Sequence, residues 1–241
     1  MIKLDILVLA VHPDDAELGC GGTILKHVAL GKKVGVVDLT RGELGTRGTM
    51  EIREQEAIAA SKILGLTLRE NLGLPDGFFQ NTREYQLKII EAIRKYQPDI
   101  IITNAHYDRH PDHGRASELV EAAVFLSGLR KIETHSDGTL QGAWRPNMLL
   151  HFIQDRYIEP DIVIDVTEYW DKKIESVMAY ESQFFNPGWN EDEPQTYISS
   201  PAFIKIVEGR AIEFGKSINA TYAEGFTSRK ILGVDSLFSL R

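Results

Sequence analysis

An apolar run of strand length is followed by an amphipathic helical pattern four times in the first 126 residues of this 241-residue chain. Regular alternation of this kind is typical of a mostly parallel sheet with helices on both faces. The chain is long enough to bury a substantial core, so we predict a single-domain, Rossmann-like, three-layer α/β fold over residues 1–241. The predicted strands are 4–9, 33–39, 68–72 and 99–104, and the predicted helices are 21–30, 50–64, 85–96 and 114–126.

The clearest of these helices is 50–64. Thr49 is a good N-cap for it, Gly65 is a good stop, and Ile58 and Leu64 are among the apolar residues expected in the core. The second half of the chain is less regular, and its Gly, Thr, Ser and Pro content between 129 and 147 indicates a long loop. Beyond it we predict strands 148–153 and 162–166, helices 168–180 and 202–218, and a surface loop at 184–194.

Composition limits the classes of partner. The formal charge is −8, from 27 basic and 35 acidic residues, which disfavours nucleic acid because such binding depends on clustered Lys and Arg. A small-molecule substrate is the better expectation. One cysteine, Cys20, excludes an internal disulfide or an all-cysteine zinc site. No apolar segment reaches about 18 residues and no signal peptide is recognisable, so we expect no membrane partner and a cytoplasmic protein.

Two similar clusters of metal-ligating residues follow predicted strands. His12-Pro13-Asp14-Asp15 comes after the first strand, and His110-Pro111-Asp112-His113 comes after the fourth. Hydrolytic zinc commonly has three His or carboxylate ligands and one open position. His12, Asp15 and one histidine of the second cluster supply such a set. The other histidine and Asp14 then remain available for proton transfer.

Other interpretations of these clusters remain open at this point. A single His-Pro-Asp-Asp segment is also a helix-capping turn in which a carboxylate accepts backbone N–H groups. The occurrence of two clusters, each after an apolar strand, favours the metal site. The ligand types suit Zn²⁺ and also Fe²⁺. Gly19-Cys20-Gly21-Gly22 does not complete a dinucleotide-binding pattern, because Ile24 occupies the position of its last glycine.

Together, the run 10–15 and His110-Pro111-Asp112-His113 resemble the motifs of the PIG-L/LmbE-like family of metal-dependent N-acetylglucosamine deacetylases. Four further segments are similar to the bacillithiol-biosynthesis branch of that family: 39–48, 76–79, 154–157 and 179–184. That branch removes acetate from N-acetylglucosaminyl-malate. The resemblance extends over nearly the whole chain, and it implies the same reaction here.

The resemblance also implies individual roles. It makes His12, Asp15 and His113 the metal ligands and Asp14 the general base. His110 becomes the group that stabilises the oxyanion or protonates the leaving amine. Related enzymes are often trimers or hexamers, so a homo-oligomer is implied as well.

The chain departs from the more common His-Pro-Asp-Asp-Glu form of the first motif. Ala16 stands at the glutamate position, and Glu17 follows one place later. No role of that glutamate is therefore carried over. Asp112, between the two histidines, is expected to orient one of them from outside the ligand set.

Candidate substrate contacts come from loops and from one helix. Glu43 is expected to accept a sugar hydroxyl, while Arg53 and Arg109 are expected to meet the malate carboxylates. Arg53 is equally consistent with an ion pair on a helix face. Arg156 and Tyr197 are further candidates. Two other hypotheses remain: a deacetylase of chito-oligosaccharides or other N-acyl sugars, and a non-catalytic sugar- or metal-binding protein.

Overall fold

The computed structural model describes residues 2–187 and 193–239. The strands of the main sheet are β1 (Ile6–Ala10), β2 (Val34–Thr40), β3 (Leu68–Leu74), β4 (Ile100–Asn104), β7 (Met148–Phe152), β8 (Ile162–Asp165) and β9 (Ala223–Thr227). They are arranged in the order β3-β2-β1-β4-β7-β9-β8. Two short strands, β5 (His135–Ser136) and β6 (Thr139–Leu140), pair in a small hairpin. The helices are α1 (Asp15–Ala29), α2 (Met50–Leu64), α3 (Arg83–Tyr96), α4 (Pro111–Ser127), α5 (Trp170–Met178) and α6 (Phe203–Lys216), with short 3₁₀ turns at Thr167–Tyr169 and Leu237–Ser239.

The sheet lies between two helical layers, as the alternating pattern predicted. Strand β1 shows why: Leu7 and Leu9 pack in the core cluster that contains α3 and α4, while Ile6 and Val8 pack in the cluster that contains α1. Successive side chains of a strand point to opposite faces, so a fully apolar strand needs cover on both. The single α/β domain with a mostly parallel sheet is confirmed.

The topology brings the two sequence motifs together. Strand β1 pairs in parallel with β2 on one side and with β4 on the other. The chain runs outwards from β1 through β2 to β3 and then returns to β4. The first motif follows β1 and the second follows β4, so both lie where the strand order reverses. In open α/β sheets this is the usual position of a ligand site.

Most predicted elements are present, and three expectations need correction. Ile58 on α2 is 52% exposed, because the buried face of that helix carries Arg53 and Glu56 instead. The predicted loop 129–147 contains the β5–β6 hairpin. Helix α1 begins at Asp15, six residues before the predicted start, and has non-helical angles at Cys20. Part of the expected loop 184–194 lies outside the described residues. No described helix is long and apolar enough to cross a membrane.

Glycines in α1 allow that helix to approach the sheet closely. A Cβ on Gly19 would overlap the Phe152 ring, and one on Gly22 would lie 2.7 Å from Val166 Cβ. Glycine normally weakens a helix interior. Here the missing side chain is needed for packing, which explains why the helix includes Gly19 and Gly22.

Replacing Gly19 with alanine is expected to lower the free energy of unfolding by about 1–3 kcal/mol, because the added methyl overpacks the contact with Phe152. The measurement is urea denaturation followed by circular dichroism. Gly209→Ala on α6 is the matched control, since a Cβ there meets no atom within 4 Å. Equal stability of the two variants would contradict this account of α1.

Strand β9 was missed by the sequence analysis. It lies antiparallel between β7 and β8, and it carries Glu224 and Gly225 at buried positions. The Glu224 carboxylate accepts hydrogen bonds from the Gly22 and Thr23 amides at 2.9 and 2.7 Å, where the helical geometry of α1 resumes after Cys20. A distant carboxylate thus satisfies amides that a local cap would normally satisfy. Nothing local in residues 223–227 indicates this role.

Candidate metal centre and active site

The first motif forms a tight turn between β1 and α1. Asp14 has φ 125°, a region that residues other than glycine rarely adopt, and the residue is only 5% exposed. Backbone strain of this kind is concentrated at functional sites. Arg53 holds the turn by donating from Nη2 to the Pro13 carbonyl and to Asp14 Oδ2, the latter at 3.1 Å. Asp14 is therefore fixed at the cleft by a buried arginine.

Three predicted ligands converge on one point. Asp15 Oδ2 lies 3.4 Å from His12 Nδ1 and 3.3 Å from His113 Nε2. His12, His110 and His113 also have ring nitrogens within 4.8 Å of one another. A second group in the described residues, His12 with Asp76 and Asp112, meets the same criterion. The two motifs therefore build one centre from residues about one hundred positions apart.

Amide side chains from neighbouring strands hold Asp15 in place. Asn104, at the end of β4, donates from Nδ2 to Asp15 Oδ2 at 3.1 Å. Gln154, just after β7, donates from Nε2 to Asp15 Oδ1 at 2.7 Å. Neither residue was predicted to take part in the site. Their position at the carboxyl ends of strands was the available signal.

Carboxylates outside the ligand set orient the two histidines. His113 Nδ1 lies 2.7 Å from Asp108 Oδ2, which leaves Nε2 to face Asp15. His12 Nε2 lies 3.0 Å from Asp76 Oδ1, which leaves Nδ1 to face Asp15. Fixing one ring nitrogen to a carboxylate is how proteins set the tautomer of a metal-binding histidine. Asp76 and Asp108 were not singled out as site residues from sequence.

Asp112, which was expected to orient a histidine, lies somewhat further away. Its Oδ2 is 3.8 Å from His12 Nε2 and accepts a hydrogen bond from the Gly77 amide at 2.8 Å. Its Oδ1 pairs with Arg115 at 2.5 Å. Asp112 thus joins the turn after β3 to α4, and Asp76 is the nearer partner of His12.

The histidine pKa values separate into two kinds. Burial would lower the pKa of His12, but the neighbouring carboxylates of Asp112, Asp15 and Asp76 raise it well above its usual value. Burial is likewise outweighed at His113, where Asp15 and Asp108 raise the pKa to about 9. The carboxylates around both rings therefore favour positive charge between the ligands, which is the electrostatic pattern of a site built for a cation.

His110 differs from both. Burial and the neighbouring His12 and His113 lower its pKa, which favours the neutral ring. Its Nδ1 accepts a hydrogen bond from the Asp112 amide at 3.3 Å and so caps α4. A neutral ring that accepts at Nδ1 carries its proton on Nε2. His110 is therefore prepared to donate one hydrogen bond as a neutral group.

Burial raises the pKa of Asp14 to about 7, against the opposing effect of Arg53. A carboxyl group with this pKa accepts a proton more readily than an ordinary aspartate. Catalytic bases are commonly adjusted towards the working pH by burial in this way. Arg53, 5% exposed, is used to hold Asp14 and the Gly42 carbonyl.

The other predicted substrate contacts lie around the rim. Arg109 is partly exposed in the cleft, 3.4 Å from Asp155 and stacked on Tyr197 at 4.7 Å. Both Glu43 carboxylate oxygens accept backbone amides, from Asp76 and from Arg41. The Arg156 side chain is exposed and lies over Tyr107, while its amide donates to Asp108. Of these residues, Arg109 and Tyr197 line the cleft.

This cleft has a volume of about 290 Å³ and contains the converging groups on one wall. Among the residues that line the cleft are four charged ones, Asp14, Asp15, Asp76 and Arg109, which give this wall a polar character. The loop segment 44–46 and residues 196–198 also line the cleft. Such a cleft suits a ligand with many hydrogen-bonding groups, such as a sugar.

Asp108→Asn is expected to weaken divalent metal binding by about 10–100-fold, because His113 loses the carboxylate that fixes its tautomer. Competition with a chromophoric chelator measures the affinity. Asp161→Asn is the control, since Asp161 is an exposed aspartate that accepts the Ser228 amide. If Asp108→Asn binds metal as tightly as the control, His113 is not oriented in this manner.

A group of His and Asp side chains that could hold a metal ion thus lies at the edge of a Rossmann-like sheet. The chain belongs to the PIG-L family. The family model described as "PIG-L: GlcNAc-PI de-N-acetylase" matches residues 7–124, which contain both motifs. The family is one of deacetylases.

Individual relatives act on different molecules. Diacetylchitobiose deacetylase of Thermococcus kodakarensis is 30% identical over 230 residues, covering 91% of this chain and 81% of the relative. A probable N-acetyl-alpha-D-glucosaminyl L-malate deacetylase 2 of Bacillus anthracis is 29% identical, covering 74% and 81%. A 4-oxalmesaconate hydratase of Pseudomonas putida is 25% identical, covering 92% and 88%. The solved structure of a conserved protein, TT1542 from Thermus thermophilus, is 37% identical, covers 97% and 98%, and has a TM-score of 0.85.

Proposed function

We propose that this protein hydrolyses the N-acetyl group of an N-acetylglucosaminide with a bound divalent metal ion. The observation that carries the proposal is the convergence of His12, Asp15 and His113 beside the strained, buried Asp14. A site that only stored metal would not require a further carboxylate, outside the ligand set, to be held next to the ligands.

The residues present fit a divalent cation. Two imidazole nitrogens and one carboxylate oxygen face one another, and supporting residues fix each of them. This donor set is typical of hydrolytic zinc, so we propose Zn²⁺, with Fe²⁺ as the alternative. When bound, such an ion polarises the amide carbonyl and makes a water molecule more acidic.

Protein side chains carry out the remaining steps. Asp14 accepts the proton of the attacking water, and its pKa of about 7 suits this transfer. His110 donates its Nε2 proton as a hydrogen bond to the oxyanion, a contribution worth a few kcal/mol in comparable sites. The C–N bond then breaks, the leaving nitrogen takes the proton that Asp14 accepted from water, and acetic acid is formed, so Asp14 returns to its carboxylate form.

For the substrate we propose N-acetylglucosaminyl-malate. Arg109 supports this choice, because it is a partly exposed cation on the cleft wall that can meet a carboxylate. Arg53 supports it less than expected, since its guanidinium is occupied by Asp14 and two carbonyls. Diacetylchitobiose is the second candidate, favoured by the similarity to the Thermococcus enzyme over most of both chains.

Acetate release is the test. Metal-quantified protein is assayed with N-acetylglucosaminyl-malate, diacetylchitobiose and N-acetylglucosamine, with and without chelator. We expect chelator-sensitive release, fastest from the malate conjugate. Arg109→Ala should raise KM for that conjugate more than for diacetylchitobiose, whereas Arg130→Ala, at an exposed position, should change neither. Metal binding without acetate release from any N-acetyl sugar would favour a binding protein.

We also propose an oligomeric state and a cellular location. The chain is expected to form a homo-oligomer, which light scattering after size exclusion measures directly. It is also expected in the cytoplasm, which cell fractionation tests.

A further inference from the structure

A narrow apolar pocket opens off the catalytic cleft. The pocket begins at the proposed metal ligand His113, because both spaces are lined by Leu18, Arg109, His110, His113, Gln154 and Ile198. It continues away from the polar cleft, between α1, α6 and β9. A group bound at the metal centre can therefore extend in two directions of different chemical character.

Aliphatic and aromatic side chains form the pocket walls. They come from α1, from the end of β7 and above all from α6. The main wall residues are Leu18, Ile153, Ile206, Val207, Ala211 and Phe214. Such a lining binds alkyl groups by removing apolar surface from water, and it offers little to a sugar ring.

Two of the charged residues that line the pocket, Lys173 and Glu224, pair with each other. Lys173 Nζ donates to Glu224 Oε1 at 2.6 Å and to the Leu18 carbonyl at 2.9 Å. The two Glu224 oxygens also accept the Gly22 and Thr23 amides. Lys173 and Glu224 are therefore occupied within the protein. Beyond the residues that it shares with the cleft, the pocket offers mainly apolar side chains, and Arg210 and Asp155 are its other charged residues.

We propose that this pocket receives the alkyl part of the acyl group, and that the enzyme removes N-propionyl and N-butyryl groups as well as N-acetyl. The inference rests on the proposed function, because it uses the same metal centre. The reaction is unchanged: water forms the new C–O bond, the C–N bond breaks, and the products are the protonated amine and a short carboxylate.

The size of the pocket sets the length limit. Its volume is about 40 Å³. A water-sized group needs roughly 10–15 Å³, so about three such groups fit. An acetyl methyl uses one of these places, and a butyryl chain uses three. A hexanoyl chain exceeds the space and is expected to be a poor substrate.

Arg210, which also lines the pocket, suggests an acyl group that would test the apolar assignment. Arg210 Nη2 donates to the Asp155 carbonyl at 2.8 Å, and its buried Nη1 has no hydrogen-bond partner among the described residues. An acyl chain that ends in a carboxylate could use that donor. Succinyl is close to butyryl in length, so the two acyl groups separate an apolar pocket from a carboxylate site.

The experiment compares kcat/KM for N-acetyl, N-propionyl, N-butyryl, N-succinyl and N-hexanoyl forms of the best glucosaminide substrate. Wild-type protein should process butyryl within about tenfold of acetyl and discriminate against hexanoyl and succinyl. Ala211→Leu fills the pocket and should lower the butyryl-to-acetyl ratio about tenfold, the usual value of a methylene or two in such a pocket. Ile206→Ala lengthens the pocket and should raise the hexanoyl-to-butyryl ratio by a similar factor.

Gly209→Ala is the control, because it adds a methyl on α6 outside the pocket and should leave both ratios unchanged. Circular dichroism and metal content establish that each variant is folded. Release of acetate without butyrate would overturn the pocket assignment and leave the proposed function intact. Preference for succinyl over butyryl would also overturn it. Failure to release any carboxylate from metal-loaded protein would overturn both proposals.

Discussion

Replacing Asp14 with asparagine is expected to lower kcat by about 10²–10⁴-fold while metal content stays at the wild-type level. Asparagine has the same shape, and its carbonyl oxygen can still accept from Arg53, so the turn should be retained. The proton acceptor is lost, because an amide does not take a proton near neutral pH. The measurement combines acetate release with elemental analysis of the purified variant.

A control distinguishes lost chemistry from lost structure. Asp137→Asn changes an exposed aspartate in the β5–β6 turn, and it should have wild-type activity and stability. Thermal unfolding of Asp14→Asn should resemble that of this control. Loss of metal from Asp14→Asn would instead make Asp14 part of the binding site, and full activity would exclude it as the base.

Replacing His113 with alanine is expected to abolish both metal binding and hydrolysis. The centre would lose one of its three proposed ligands. The Asp108 carboxylate, which pairs with His113 at 2.7 Å, would also lose its partner. The fall in metal affinity should exceed the roughly 100-fold that is typical when only a supporting residue is removed. Chelator competition and acetate release are measured on the same protein sample.

His135→Ala provides the matched control, because His135 is exposed in the small hairpin away from the motifs. Circular dichroism should show that both variants retain the helical content of the wild type. A His113→Ala protein that keeps stoichiometric metal would place the ligands elsewhere, and the second group of His12, Asp76 and Asp112 would then become the candidate.

Several features of this protein could be predicted from sequence because they depend on neighbours along the chain. Helix α2 has the predicted boundaries, since Thr49 accepts from the Ile52 amide and Gly65 takes the left-handed conformation that ends a helix. Strand β1 is apolar throughout, which requires cover on both faces. The two His-Pro-Asp clusters follow strands, and parallel strands bring their carboxyl ends together.

Sequence reasoning was less successful where a residue acts through a distant partner. Arg53 has the spacing of an ordinary helix-face charge, yet folding buries it against Asp14. Asp76 and Asp108 look like loop aspartates until the fold places each beside a histidine. The apolar side pocket likewise arises only when α6 covers β9.

The sequence by itself determined the α/β fold, the position of both motifs after strands and the types of the proposed metal ligands, because alternating elements and donor chemistry follow from local pattern. Only the tertiary structure decided how those ligands are held. Asn104, Gln154, Asp76 and Asp108 lie close to the ligands in space, and most are far from them in sequence. Such contacts depend on non-local packing, which no local periodicity records. The pocket that would select the acyl group is a product of the same packing.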